Sequence, residues 1–294
     1  MIRIACAQYP VERLPDLAAW EAKQHRWLSE AAEADADLVV FPEYGAMELT
    51  GLWPESVSQN QSSALSKLQD LAPAFHEFWS SAAQTYGIHI LAPCFLEATA
   101  ENTYENRARL HTPAGRSGSQ TKRMRTRYEE EVLHLQAGSE LRVFDTDLGR
   151  IGIAICYDIE FAAIARAQAV AGAWLILAPS CTDALAGANR VRIGARARAL
   201  ENQCYVATAP LLGDAPWAPA IDENVGQATI AVPPDVGQPA DGLLATGELN
   251  RPGWVYADID PYSLIQTRNT GQVRIFDQHA ELGAALEAKV VDLR

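Results

Sequence analysis

Apolar residues in this chain follow two patterns that take turns. One is a short run of strand length. The other recurs every three or four residues, like one face of a helix. Residues 2–8 form the first strand-like run, from Ile2 to Gln8. Leu17, Trp20, Trp27, Leu28 and Ala31 mark a helical face over 16–34, and Leu38 to Phe41 is a wholly apolar strand. Leu65, Leu68, Leu71, Phe75 and Phe78 predict a second helical stretch, disturbed at Pro73. A strand over 88–95 leads into a turn-rich region with Asn102 and Asn106. Two hairpins follow: 107–111 with 117–121 around Pro113-Ala114-Gly115, and 141–144 with 151–155 around Asp147-Leu148-Gly149-Arg150. Helices over 161–171 and 188–202 alternate with strands over 174–178 and 204–209. Strands at 228–232 and 254–259 close the series, and the pattern from Ile265 onward is mixed. Alternating helices and apolar strands predict an α/β protein whose sheets are covered by helices. The pattern fits one doubly wound sheet and two stacked sheets equally. With no low-complexity linker, residues 1–294 are expected to form one domain.

Composition narrows the function. The hydrophobic fraction of 48% suffices for a large core. The net charge of −13 argues against nucleic acid or an anionic membrane as partner, and the basic run from Lys122 to Arg127 is too short to reverse this. Met1-Ile2-Arg3-Ile4 does not read as an export signal, and no apolar stretch approaches the roughly 20 residues that span a bilayer. Cys6, Cys94, Cys156, Cys181 and Cys204 include no C-x-x-C pair, which points to a reducing, cytoplasmic setting. The histidines are scattered, and neither a metal-ligand cluster, a phosphate loop nor a dinucleotide fingerprint is present. No metal and no cofactor are expected.

One run stands out chemically. In Gly-Ile-Ala-Ile-Cys-Tyr-Asp-Ile-Glu-Phe (152–161) an apolar strand delivers Cys156 to the point where hydrophobicity stops and a helix opens near Phe161. Backbone N–H groups point outward at such a turn and can hold an anion. A thiol there suits nucleophilic chemistry, and it equally suits a buried cysteine at a strand end. Leu38 to Phe41 ends at Pro42, so Glu43 projects from a strand end, as a reactive carboxylate or as a helix N-terminal charge. Lys122 follows the first hairpin, as a site cation or as one solvated base among Arg123, Arg125 and Arg127. Asp158 suits the N-cap of the helix near Phe161, and Arg198 with Glu201 suits an i,i+3 pair. Cys6, Cys94 and Cys204 lie in predicted strands and read as core. In an extended segment Glu129 and Glu131 would share a face and Glu130 would point away.

In order and spacing these segments resemble the nitrilase superfamily, the carbon–nitrogen hydrolases. The resemblance covers nearly the whole chain, from Ile2-Arg3-Ile4-Ala5 through Arg198-Ala199-Leu200-Glu201 to Trp254-Val255-Tyr256-Ala257. It implies a four-layer α-β-β-α sandwich, commonly paired as a homodimer. It also implies a catalytic triad of Glu43, Lys122 and Cys156. The family's second glutamate, seven residues past the lysine, falls on Glu129. Ser180 and Cys181 fall in a pocket-lining region, and Tyr44, Tyr157 and Phe161 are further candidates for substrate contact. Phe-Pro-Glu-Tyr-Gly-Ala-Met-Glu-Leu (41–49) resembles a poorly characterised branch sometimes fused behind an acetyltransferase domain. Cys-Tyr-Asp resembles the amidase and carbamoylase branches, so the expected substrate is a small amide. A nitrilase, an N-carbamoyl hydrolase and an acyl transferase are the alternatives on the same scaffold. One departure is the run Lys122-Arg123-Met124-Arg125, where many relatives have Lys-x-His-Leu. Two readings lie outside the family's chemistry: a Cys–His hydrolase using His111 or His134, and a non-catalytic binding protein.

Overall fold

The computed structural model describes residues 1–100, 103–286 and 290–292. Thirteen strands among them form two sheets that meet along one short seam. The first sheet holds β1 (Ile2–Pro10), β2 (Leu38–Val40), β3 (His89–Leu91), β4 (Phe95–Ala100), β5 (Thr103–His111), β6 (Ser117–Thr121) and, antiparallel to β1, β13 (Gly253–Ile259). The second runs β7 (Val143–Thr146), β8 (Gly149–Ile153), β9 (Leu175–Ser180), β10 (Tyr205–Leu212), β11 (Thr229–Ala231) and β12 (Leu243–Thr246). The seam is parallel pairing of Tyr9 with Leu211 and of Pro10 with Leu212.

Side-chain alternation sorts the layers. Ile4, Cys6, Leu38 and Val40 point into a core shared with Ile151, Ile153, Leu175 and Leu177 of the second sheet. The intervening Ala5, Ala7, Val39 and Phe41 point the other way, onto Trp20, Leu28, Phe75 and Trp79 of helices Leu17–Glu33 and Ala72–Tyr86. Helices Ala162–Val170 and Leu185–Asn202 cover the second sheet through Ile164, Ala165, Val191 and Ala195. Strands buried on both faces explain the unbroken apolar run Leu38–Phe41. The architecture is the helix–sheet–sheet–helix sandwich.

Several expected boundaries move for identifiable reasons. The stretch around Pro73 is two helices, Gln61–Leu68 and Ala72–Tyr86, and Pro73 opens the second, where its missing N–H costs nothing. The run expected as one strand over 88–95 is β3 and the start of β4, with Pro93 between them. Asn106 lies in the middle of β5 rather than in a turn, and Asn102 lies outside the described residues. The second hairpin turns at Asp147-Leu148, so β8 begins at Gly149 instead of Ile151.

Candidate active site

Glu43 and Tyr44 follow β2 at the C-terminal end of a parallel pair, where the chain leaves the sheet. Tyr44 has φ 56, a left-handed conformation rare for a large side chain. The Glu43 carboxylate is buried and its oxygens are occupied. Oε1 accepts from Lys122 Nζ at 2.7 Å and Asn106 Nδ2 at 2.8 Å, and Oε2 accepts from the Cys181 N–H at 3.0 Å.

Cys156 stands on the turn between β8 and the helix Ala162–Val170, with φ 46. The short 3₁₀ turn Cys156–Glu160 is clamped from three sides. The buried Asp158 carboxylate accepts from the N–H groups of Ile155 (3.3 Å), Arg123 (3.1 Å) and Met124 (2.7 Å). It therefore joins the cysteine turn to the segment after Lys122. The expected cap on the following helix is overturned, because that helix opens at Phe161 without a side-chain cap. Arg198 donates to the carbonyls of Ile159 and Glu160 at 3.2 Å each, and pairs with Glu201 as its spacing suggests. Gly194 lets that helix approach closely, since a Cβ there would sit 2.9 Å from the Ile159 carbonyl oxygen. A left-handed cysteine costs on the order of 1–3 kcal/mol and persists only when its surroundings hold it.

Lys122 is buried between two carboxylates, donating to Glu43 and, at 2.8 Å, to Glu129 Oε1. Glu129 also accepts from the Tyr44 hydroxyl and from Asn106 Nδ2 at 3.3 Å. The segment carrying it is a helical turn, Arg127–Glu131, and not the expected extended run. The reason is a capping box. The Glu129 N–H donates to Thr126 Oγ1 at 3.2 Å, and Glu129 Oε2 accepts the Thr126 N–H at 2.8 Å. The helix aims Glu129 inward and leaves Glu130 and Glu131 exposed, on ion pairs with Arg125 and Arg127. Glu131 therefore does not share the face of Glu129.

Electrostatics follow from burial and from this sharing of one cation. Burial raises the Glu43 pKa, Lys122 opposes it, and the Glu129 charge adds to the rise. Burial also works against ionised Glu129, but Lys122 and the hydrogen bonds from Tyr44 and Thr126 outweigh it and hold the pKa below the ordinary value. Burial works against the Lys122 ammonium, and the two carboxylates more than restore it. Burial and the Glu43 charge push the Cys156 thiol up. Cys156 thus rests as a thiol beside the Glu43 charge, and its Sγ donates to the Cys181 carbonyl at 3.4 Å.

These groups line the inner end of a cavity of about 390 Å³. Glu43, Tyr44, Lys122, Glu129, Cys156, Tyr157 and Cys181 all reach it. Two expected contacts do not. Ser180 is buried in β9 with its hydroxyl toward the Ala209 carbonyl, and Phe161 stacks edge-on behind Tyr157 at 4.9 Å. No histidine lines the cavity: His111 is buried in β5 and His134 is exposed on the Glu130 carbonyl. Cys6, Cys94 and Cys204 are core, as expected. Asn106 was missed, although the strand's alternation of Tyr104, Asn106, Ala108 and Leu110 turns it inward as the one amide on a buried apolar face. Thr126 was missed too, although Thr-x-x-Glu is the sequence signature of the cap it makes. No group of His, Cys, Asp and Glu among the described residues could hold a metal ion, and no helix among them is long and apolar enough to cross a membrane.

The family model described as carbon-nitrogen hydrolase matches residues 3–268. This chain belongs to the carbon–nitrogen hydrolase family. Among relatives of this carbon–nitrogen hydrolase, a probable hydrolase of Bacillus subtilis (strain 168), YhcX, is 31% identical over 274 residues, covering 93% of this chain and 52% of that protein. The chloroplastic omega-amidase of Arabidopsis thaliana is 38% identical over 136 residues, 46% of this chain and 34% of that one. The chain thus spans about half or less of the length of these two curated relatives. In fold it is similar to the carbon–nitrogen hydrolase of Helicobacter pylori G27, with a TM-score of 0.75, 18% identity and 91% of each chain covered. An amidase from Nesterenkonia sp. gives a TM-score of 0.67 at 21% identity, over 96% of this chain and 94% of that one.

Proposed function

We propose that the protein is a small-molecule amidase that works through a thioester on Cys156. The observation that carries this reading is the meeting of a thiol, a carboxylate and an ammonium at the closed end of one cavity. Relatives named as amidases favour the amide over the nitrile as substrate.

An amide carbon is a poor electrophile, so attack needs a thiolate, a place for its proton and support for the oxyanion. Cys156 Sγ attacks the carbonyl carbon while Glu43 takes the thiol proton. Its raised pKa suits a group that must accept a proton and then return it. Two hydrogens of the Lys122 ammonium are spent on Glu43 and Glu129, and the third is free to meet the carbonyl oxygen as charge develops. The Tyr157 N–H, at the same turn, supplies a second donor. Collapse breaks the C–N bond, and the amine leaves with the proton from Glu43. Water then attacks the thioester, Glu43 takes its proton, and collapse breaks the C–S bond as Glu43 returns that proton to the Cys156 sulfur and the acid product leaves as a carboxylate.

Intact-protein mass spectrometry during turnover of a small amide should show an acyl adduct on Cys156 in step with ammonia release. Ammonia release from enzyme whose Cys156 is fully alkylated would refute the reading. Activity should also survive prolonged EDTA treatment, because base, nucleophile and oxyanion support are all side chains or backbone. A loss reversed only by one added metal would show otherwise.

Glu129 positions Lys122 in this scheme. Its Oε1 accepts from Lys122, Tyr44 and Asn106 while Oε2 accepts the Thr126 N–H, so a glutamine here must turn its NH₂ on a donor. Glu129→Gln should therefore cut turnover at least ~10-fold. Glu130→Gln and Glu131→Gln should leave stability within about 0.5 kcal/mol. Turnover and thermal midpoints of the three variants check this, and a dead Glu130→Gln or Glu131→Gln beside an active Glu129→Gln would remove Glu129 from the site.

A further inference from the structure

The cavity wall away from Cys156 carries charge that no basic side chain among the described residues pairs with. Six acidic and three basic side chains line the cavity. Lys122, at the inner end, is shared by Glu43 and Glu129. Both remaining cations are spoken for: Arg190 pairs with Glu160 at 3.3 Å, and Arg127 with Glu131 at 3.6 Å. Asp183, Asp222 and Glu223 form no ion pair with any basic side chain among the described residues.

Asp183, Asp222 and Glu223 are exposed, and the segments that carry them are tied together beneath. The Thr182 hydroxyl donates to the Val225 carbonyl at 2.6 Å, and the Val225 N–H returns a bond to the Thr182 carbonyl at 2.8 Å. That clamp ties the segment carrying Asp183 to the one carrying Asp222 and Glu223. Between them Asn224 is buried, its Nδ2 donating at 2.7 Å to the carbonyls of Gly213 and Ile221 and its Oδ1 accepting from Cys181 Sγ at 3.1 Å. The acidic wall is thereby fixed to a cysteine whose backbone N–H binds Glu43. Asp222 also faces Tyr128, whose phenol is raised by burial and by that carboxylate. The rings of Tyr44, Tyr128 and Tyr157 share the cavity, and aromatic faces attract cations.

We propose that the cavity takes an amide whose far end carries a positive charge, an alkylammonium or guanidinium group, seated against Asp183, Asp222 and Glu223. This rests on the amidase reading for its reacting end. The acidic wall lines the same cavity as the nucleophile and the unspent Lys122 donor, so one ligand spans both: carbonyl at Lys122, cation at the wall. An amide with a terminal carboxylate would meet three anions there and no unpaired cation. The overall charge of −13 draws cations toward the protein in the same sense.

Three amides of equal chain length test this on the full chain: one with a terminal amine, one unsubstituted and one with a terminal carboxylate. Ammonia release should give kcat/KM in that order, with about a 10-fold or larger gap between the first and last. The gap should shrink as salt is raised from about 10 mM to about 0.5 M. Asp222→Asn combined with Glu223→Gln should close most of it by lowering the rate for the amino amide. A second readout is independent of hydrolysis: the amino amide should protect Cys156 from iodoacetamide at lower concentration than the carboxy amide. Equal or better use of the carboxy amide, or equal protection, overturns the proposal. If none of the three is hydrolysed, the amidase reading fails, and the order of protection still decides whether the wall selects cations.

Discussion

Cys156→Ala should abolish amide turnover, by about 10⁴-fold or more, while the protein still folds. Each other cysteine has a competing job. Cys6, Cys94 and Cys204 are buried in the core and do not line the cavity. Cys181 reaches the same cavity, but its Sγ is engaged with Asn224 and its backbone, not its thiol, meets Glu43. Cys156 shares the cavity with Glu43 and Lys122, and the Glu43 charge acts on its thiol. The variant removes one small polarisable atom at a turn held by Asp158 and Arg198, and those clamps remain. Circular dichroism and the thermal midpoint should stay close to the parent while ammonia release disappears. If Cys181→Ala is the dead variant and Cys156→Ala is active, the nucleophile is misassigned.

The residues brought together at the cavity floor were legible because each interrupts a strong local pattern. Glu43 ends an apolar strand at a proline, Cys156 ends another, and Lys122 follows a hairpin. Strand-end positions survive errors of one or two residues in the boundaries, which is why a hairpin turn displaced to Asp147-Leu148 did not displace Cys156. The stacking of two sheets was not legible from pattern, because a strand buried on both faces looks the same in a doubly wound sheet and in a sandwich. It came from the resemblance, and the division of Ile4 and Cys6 from Ala5 and Ala7 between two cores gives its physical basis. The acidic wall was invisible for another reason. Asp183 and Asp222 are 39 positions apart in sequence, and the Thr182–Val225 clamp joins the two segments that bring them to one cavity. The helical turn at Glu129 was readable from Thr126, but three glutamates in a row suggested a strand-like alternation that the cap overrides. Helix Pro261–Thr270 likewise opens with Asp260 capping Tyr262 and proline in its first turn, a start signal that lies just before the stretch read as mixed from Ile265 onward.

Lys122→Ala should damage both rate and stability, and the stability loss should depend on pH. Among the described residues its ammonium is the only basic group paired with the two buried carboxylates Glu43 and Glu129, whose charges act on each other. Removing the oxyanion donor should lower turnover by about 10²–10³-fold. Breaking a buried charge network from one side typically costs about 3–5 kcal/mol, because the remaining charge is left unpaired. In the parent, Glu129 has a depressed pKa, so its contribution to stability is present above the unfolded carboxylate value and fades as pH falls through the folded one. In the variant that depression is lost. Burial and mutual repulsion then raise both carboxylates above their unfolded value of about 4.3, and each costs more stability as pH rises past it. Both changes have the same sign. The midpoint difference between parent and Lys122→Ala should therefore be larger at about pH 8 than at about pH 5, where one carboxyl can hold a proton and hydrogen-bond to the other. Glu43→Gln, which removes one charge and keeps Lys122 paired with Glu129, should lose activity with a smaller and flatter stability loss. Thermal melts of the three proteins across that pH range read the difference directly. A Lys122→Ala deficit that is constant with pH, or that grows toward acid, would mean that the two carboxylates do not share this lysine's charge.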